Sequence, residues 1–406
     1  MRKRTEDWRD LLSAYALAVD TKKVLAGFLA TLATVFVMVV ATLIYSNFVD
    51  QRDPGTPAWA KDLAGLGLVA DDRFLLWSFL RGGGLKMLGC FLPLLNPFKA
   101  GVFHFGMSVL TYLGLFWAWS GAGGVVSRLT ALEYGRDDLP TFEEARAAVR
   151  AKRKAYFLAP VMPLAVIVVL SLLNALGGLV ASVPVLGRIL LVFPGLPLLF
   201  ATTITIVFLA VFGVLAFGLM MPAVSVGGKD AFESWSTAYA YVLWGLRRFV
   251  CYTLLVGAIG VVASVVAWAL AELVIYVIYH SVSIGFVGGE DWLCYATDKG
   301  MLLAPAGSGL NVILSGVFVA LLLLVRAVPV AYAIAYFFTA NTIVFLLLRK
   351  EQDNIEVEEI YEDSQGEEAG ESELVPSEEQ VEEGEGEEAP SEEGAEPGDE
   401  PDEQKG

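Results

Sequence analysis

Apolar residues in this chain do not alternate with polar ones; they run together in six blocks. The blocks are Val24 to Val49, Ala100 to Ser127, Ala155 to Gly187, Ile189 to Gly228, Phe249 to Ala271, and Gly300 to Leu348, the last broken only by Arg326. A hydrocarbon core about 30 Å thick takes about 20 apolar residues in a helix, and no water-soluble core demands so many such lengths in succession. The pattern predicts an all-α integral membrane protein with six transmembrane helices. They fall roughly at Val24 to Ser46, Ala100 to Val126, Tyr156 to Ala181, Leu196 to Met221, Phe249 to Glu272 or beyond, and Leu310 or later to Leu348. The last two blocks exceed what a perpendicular helix needs, so tilt or protrusion must absorb the excess. Reading Arg326 as a loop would give seven helices, but Val325-Arg326-Ala327-Val328-Pro329 lacks a turn signature. No small-residue cleavage site ends the first block, which is expected to stay attached as an anchor.

Between the blocks the pattern changes to polar residues at helical spacing. Thr141 stands three residues before Glu144 and Asp230 three before Glu233, the capping-box spacing that satisfies orphan amides at a helix start. Each segment then runs to a basic pair, Arg153-Lys154 or Arg247-Arg248, ahead of the next block, and the stretch from Trp8 to Lys22-Lys23 ends in the same way. The expected architecture is three helical hairpins, each preceded by a cytoplasmic amphipathic helix. A threefold ancestral repeat would give this order, and so would any basic boundary of a membrane span. In the long loop after the first block, Asp71-Asp72 and Arg73 to Arg81, closed by Gly82-Gly83-Gly84, read as a short helix along the membrane surface.

Charge fixes the expected threading and divides the chain. Eighteen Lys and Arg flank the spans on the side of the two termini, against eight on the other side. Cytoplasmic flanks hold such an excess, so both termini are expected in the cytoplasm, with the chain multi-pass in a bacterial inner membrane. The net charge of −17 comes from the end: Glu351 to Gly406 holds 25 Asp and Glu and one basic residue, Lys405. Residues 1–350 therefore read as a mildly basic membrane domain, and 351–406 as an acidic, mostly disordered tail with too little apolar area to offset ordering. Its first residues, Glu351 to Tyr361, have the composition to prolong the last helix briefly.

Candidate chemistry is sparse. Glu272 lies 24 residues after Arg248, Arg326 lies 23 before Arg349, and His104 lies 24 before Arg128, so all three stand at one depth, about 36 Å from the basic boundary. They form a candidate polar cluster, Glu272 pairing with Arg326, of the kind that marks solute or proton pathways. The same depth also matches the far headgroup region, where charge costs little. Cys90 and Cys294 both map to the outer side and are a candidate disulfide, free thiols being the alternative; Cys251 maps near the cytoplasmic end of a span. Pro160, Pro163, Pro184, Pro194, Pro197, Pro222 and Pro329 read mainly as boundary residues, and Gly114, Gly121, Gly123, Gly124, Gly177, Gly178, Gly213 and Gly218 as points of close helix packing. With two histidines, no C-x-x-C, no H-E-x-x-H, no Walker loop and no G-x-S-x-G, no metal, cofactor, ATPase or serine hydrolase is expected.

Met221-Pro222, Asp230-Ala231-Phe232-Glu233-Ser234 and Arg247-Arg248 together resemble a pattern in an uncharacterised family of bacterial polytopic membrane proteins. They are more loosely similar to the membrane domain fused to glycerophosphodiester phosphodiesterases. Leu139-Pro140-Thr141-Phe142-Glu143-Glu144-Ala145-Arg146 and Phe337-Phe338-Thr339-Ala340-Asn341-Thr342 resemble the same family. The resemblance implies a six-helix membrane fold and no activity. The chain lacks the soluble α/β domain of the phosphodiesterase fusions, so their enzymology does not carry over. The expectation is a non-enzymatic membrane protein that organises membrane or partner proteins through its amphipathic helices and tail. The rival is a small-solute or lipid transporter with a cavity between the hairpins. Expected partners are membrane lipids and, through the tail, a basic cytoplasmic protein, and not nucleic acid.

Overall fold

The computed structural model describes residues 7–49, 102–285 and 310–361, which belong to one compact unit spanning Met1–Glu362. The surface segment expected at 71–81, together with Cys90 and Cys294, lies outside the described residues.

A 3-10 turn, Trp8–Ser13, runs into α1 (Ala14–Leu17), and α2 (Thr21–Val49) and α3 (Val102–Arg136) form the first hairpin. The amphipathic α4 (Phe142–Ala151) precedes α5 (Arg153–Ala181). The short α6 (Leu186–Leu190), a π turn (Leu191–Gly195) and α7 (Leu196–Gly227) return as one continuous run. The amphipathic α8 (Ala231–Trp244) then precedes α9 (Leu246–Gly285) and α10 (Leu310–Asp353). Among the described residues six helices are long and apolar enough to cross a bilayer, and each hairpin follows a short helix as the sequence pattern predicted. At 40 and 44 residues, α9 and α10 extend about 60 and 66 Å, twice a hydrocarbon core.

α10 is the central post. It packs against α2, α3, α7 and α9, and from Ala331 to Leu348 almost every residue is buried. A helix apolar on all faces belongs in an interior of this kind. The peripheral helices instead turn Leu179, Phe193, Phe200 and Val214 outward, each at least 68% exposed. Such a surface is stable against lipid and not against water.

Close approach comes from small residues, since hydrocarbon supplies no hydrophobic drive between helices. A Cβ on Gly27 would strike the Ala331 carbonyl, and one on Gly218 would strike the Asn341 amide, so α2 and α7 each press directly onto α10. Pairs of polar groups then pin the helices. Trp119 Nε1 donates to Thr34 Oγ1 at 2.9 Å, Thr202 Oγ1 to Asn174 Oδ1 at 2.6 Å, and Tyr336 OH to the Val256 carbonyl at 2.6 Å.

Three local expectations change. Thr141 builds its capping box in full, accepting from Glu144 N at 3.2 Å while Glu144 Oε2 accepts from Thr141 N at 2.8 Å. Asp230 occupies the N-cap of α8 without a side-chain cap bond, and Glu233 instead pairs with Lys229 Nζ at 3.2 Å. Pro160, Pro163, Pro222 and Pro329 sit inside continuous helices and not at their ends; Pro184 and Pro197 keep the boundary role. Gly121, Gly177 and Gly178 face open space and make no close packing.

Candidate functional site

Of the residues singled out for chemistry, the fold joins two. Arg326 Nε donates to Glu272 Oε1 at 2.9 Å and Nη2 to Oε2 at 3.3 Å, a two-pronged pair linking α10 to α9 with each side chain 19% exposed. His104 lies on the first turn of α3, its imidazole outside the described side chains. Cys251 is an exposed free thiol on the second turn of α9.

The most elaborate polar arrangement is at the other end of the bundle, where α2, α5 and α9 begin and α3, α7 and α10 finish. Here the chain leaves α10 through Asn354, which takes the left-handed conformation at φ 54° that ends many helices. Residues 355–361 then fold back across the ends of α3 and α7. Val357 and Ile360 are buried among the core side chains. An irregular segment has carbonyls with no helical partner, so its position must be secured by donors from elsewhere.

Arginines supply them. Arg136 donates from Nε to the Glu358 carbonyl at 3.0 Å and from Nη2 to the Ile360 carbonyl at 2.7 Å. Arg349 Nη1 reaches the Glu359 carbonyl at 2.6 Å. Arg128 Nη1 donates to both the Ser225 and the Tyr361 carbonyls, at 2.8 and 2.7 Å. Three guanidiniums thus cover four successive carbonyls, a task their fixed forks of donors suit better than a single ammonium.

The last residue of the strap is fixed on both faces. Tyr361 N donates to the Val226 carbonyl at 2.8 Å, and Lys152 Nζ stands 3.7 Å from the Tyr361 ring centroid while donating to the Gly228 carbonyl. Two glycines make the space. Gly228, at φ 63°, ends α7 and lies under the Tyr361 ring; a Cβ on Gly135 would run into Ile360 and come within 2.8 Å of the Val357 carbonyl. Among the acidic side chains of the strap, Glu356 stands 3.5 Å from Lys350 Nζ.

A second set of contacts ties the N-terminal segment to the same platform. Lys23 is fully buried and donates to Glu133 Oε2 at 2.5 Å and to the Leu17 carbonyl at 3.0 Å. Tyr134 OH donates to Asp10 Oδ2 at 2.8 Å. Tyr241 of α8 donates to Asp353, and burial followed by that carboxylate pushes its phenol well above the ordinary value.

Sequence reasoning used Arg128, Arg136, Lys152 and Arg349 only as topology markers. Nothing in their spacing separates a cation facing headgroups from one facing a carbonyl. The signal within reach was the pair Val357 and Ile360, apolar residues three apart in an otherwise acidic stretch.

Fold and platform together define a six-span helical membrane protein whose C-terminal segment is clamped to the body by main-chain contacts. Compared with known protein families, curated proteins and solved structures, the chain matches none of them.

Proposed function

We propose that this is a non-enzymatic protein of the bacterial inner membrane that holds its acidic tail at a fixed point of the cytoplasmic surface for a basic partner protein. The observation that carries the reading is the clamp of Arg128, Arg136 and Arg349 on the carbonyls of residues 358–361. A tail needed only for solubility gains nothing from a fixed root. A tail that recruits a partner gains effective concentration and direction from one. The 25 acids from Glu351 onward are an electrostatic target for a basic surface.

The test compares three forms purified from their native membrane after crosslinking: the full chain, the chain cut after Ser364, and a full chain with the tail glutamates changed to glutamine. The expected result is a basic protein recovered in stoichiometric amount with the full chain and lost from both others. Recovery of the same partners by all three forms overturns the proposal.

A further inference from the structure

The strap of residues 355–361 is fastened separately from the helix it follows. The last turn of α10 has ties of its own: Glu351 accepts from Arg248 Nη1 at 2.7 Å and from Tyr252 OH at 2.6 Å, and Asp353 accepts from Tyr241. The strap is held largely by α3, α7 and Lys152. Only Asn354, with its left-handed backbone, stands between the two sets of contacts. A segment joined through one hinge residue can leave its seat without unwinding the helix before it.

The seat also keeps its shape by contacts that do not involve the strap. Arg128 Nη1 is held by the Ser225 carbonyl at 2.8 Å, and Lys152 Nζ by the Gly228 carbonyl. The hollows under Ile360 and under the Tyr361 ring exist because Gly135 and Gly228 carry no side chain, and no occupant has to create them. A site organised in advance spends little of its binding energy on ordering itself.

What the seat holds in the structure is a peptide, and the contacts show what it reads. The carbonyls of Glu358 to Tyr361 accept from guanidiniums, and Tyr361 N donates to the Val226 carbonyl. Those bonds suit any main chain that follows this path, whereas the hollows for Val357, Ile360 and Tyr361 select side chains. Main-chain bonds for affinity with separate pockets for specificity is a recurring mode of peptide recognition. The strap brings three glutamates, Glu356, Glu358 and Glu359, into a seat ringed by Arg128, Arg136, Lys152, Arg349 and Lys350, so an acidic segment is favoured over a basic one. A lipid phosphate answers the guanidiniums but brings no side chains at the spacing of Val357 and Ile360.

We propose that this seat is a peptide-binding site kept closed by the protein's own strap, and that its partner is an acidic polypeptide segment with two aliphatic residues three apart and a tyrosine directly after the second. The strap competes from within the same chain, and a partner segment that displaces it frees the root of the tail. The site is independent of the tail's recruiting role: the chain cut after Ser364 keeps both seat and strap, so failure of either reading leaves the other standing.

Fluorescence anisotropy of a labelled, amidated peptide of residues 354–361, titrated with the full chain in uncharged detergent, tests this. The wild type is expected to bind weakly, because a tethered competitor acts at an effective concentration of about millimolar. Val357→Asp with Ile360→Asp in the chain empties the seat, and the peptide is then expected to bind about 100-fold more tightly, the opening no longer being opposed. Val357→Ala with Ile360→Ala is expected to give an intermediate gain. Adding Gly135→Leu to the Asp variant fills the hollow and is expected to abolish the gain, as is placing Asp at both aliphatic positions of the peptide. Equal affinity for wild type and Asp variant, or no binding by either opened chain at wild-type helix content, overturns the proposal. Displacement of the bound peptide by short-chain phosphatidylglycerol also overturns it and assigns the guanidiniums to lipid phosphate.

Discussion

At the scale of single residues, buried charge is tolerated here only when it is answered. Lys23 loses all contact with solvent and is answered by Glu133 and the Leu17 carbonyl. Removing one partner of a buried pair leaves an uncompensated charge and costs about 3–5 kcal/mol, whereas replacing both with apolar groups is often close to neutral. Glu133→Ala is therefore expected to lower the melting temperature in detergent sharply, and Lys23→Met with Glu133→Leu to restore most of it. Tyr241 gives a pH signature. Its raised phenol pKa means that the neutral form is favoured on folding, so this contribution is complete below the ordinary value of 10.0 and is lost as pH rises above it. Melting temperatures taken on both sides of that value should fall more in the wild type than in Tyr241→Phe. Neither partnership was legible in the sequence: Lys23 read as one of several boundary cations, and Glu133 lies 110 positions away.

At the scale of elements, the strap after α10 is the part most open to selective disruption. Its buried side chains are Val357 and Ile360, and their seating depends on the absence of a side chain at Gly135. Gly135→Leu is expected to expel residues 355–361 while the spans remain folded. Limited proteolysis read by fragment mass should then show new cleavage after Asp353, with α3 and α10 still protected; an unchanged digest would mean that the strap is held without this space. The helices themselves were readable in advance because hydropathy is a local sum over neighbouring residues. Their internal prolines were misread as boundaries because a membrane helix keeps going through Pro160, Pro163, Pro222 and Pro329. With no water to compete for the freed carbonyls, interrupting the helix offers no gain.

At the scale of the whole molecule, all six spans begin or end at one basic platform, where α1, α4 and α8 also lie. By the positive-inside rule the expectation is that this platform faces the cytoplasm. A green fluorescent protein fused after Gly406 should fluoresce and an alkaline phosphatase at the same point should be inactive; the reverse pair of results would invert the threading.

The sequence by itself determined the solvent, the number of crossings, the order of short and long helices, and the separation of a basic body from an acidic end. Each of these follows from sums over residues adjacent in the chain. Tertiary structure alone decided which cations hold Glu358 to Tyr361 and that Glu272 meets Arg326. Those outcomes depend on where helix ends converge in space, and cations at the ends of spans look alike until the carbonyls facing them are known.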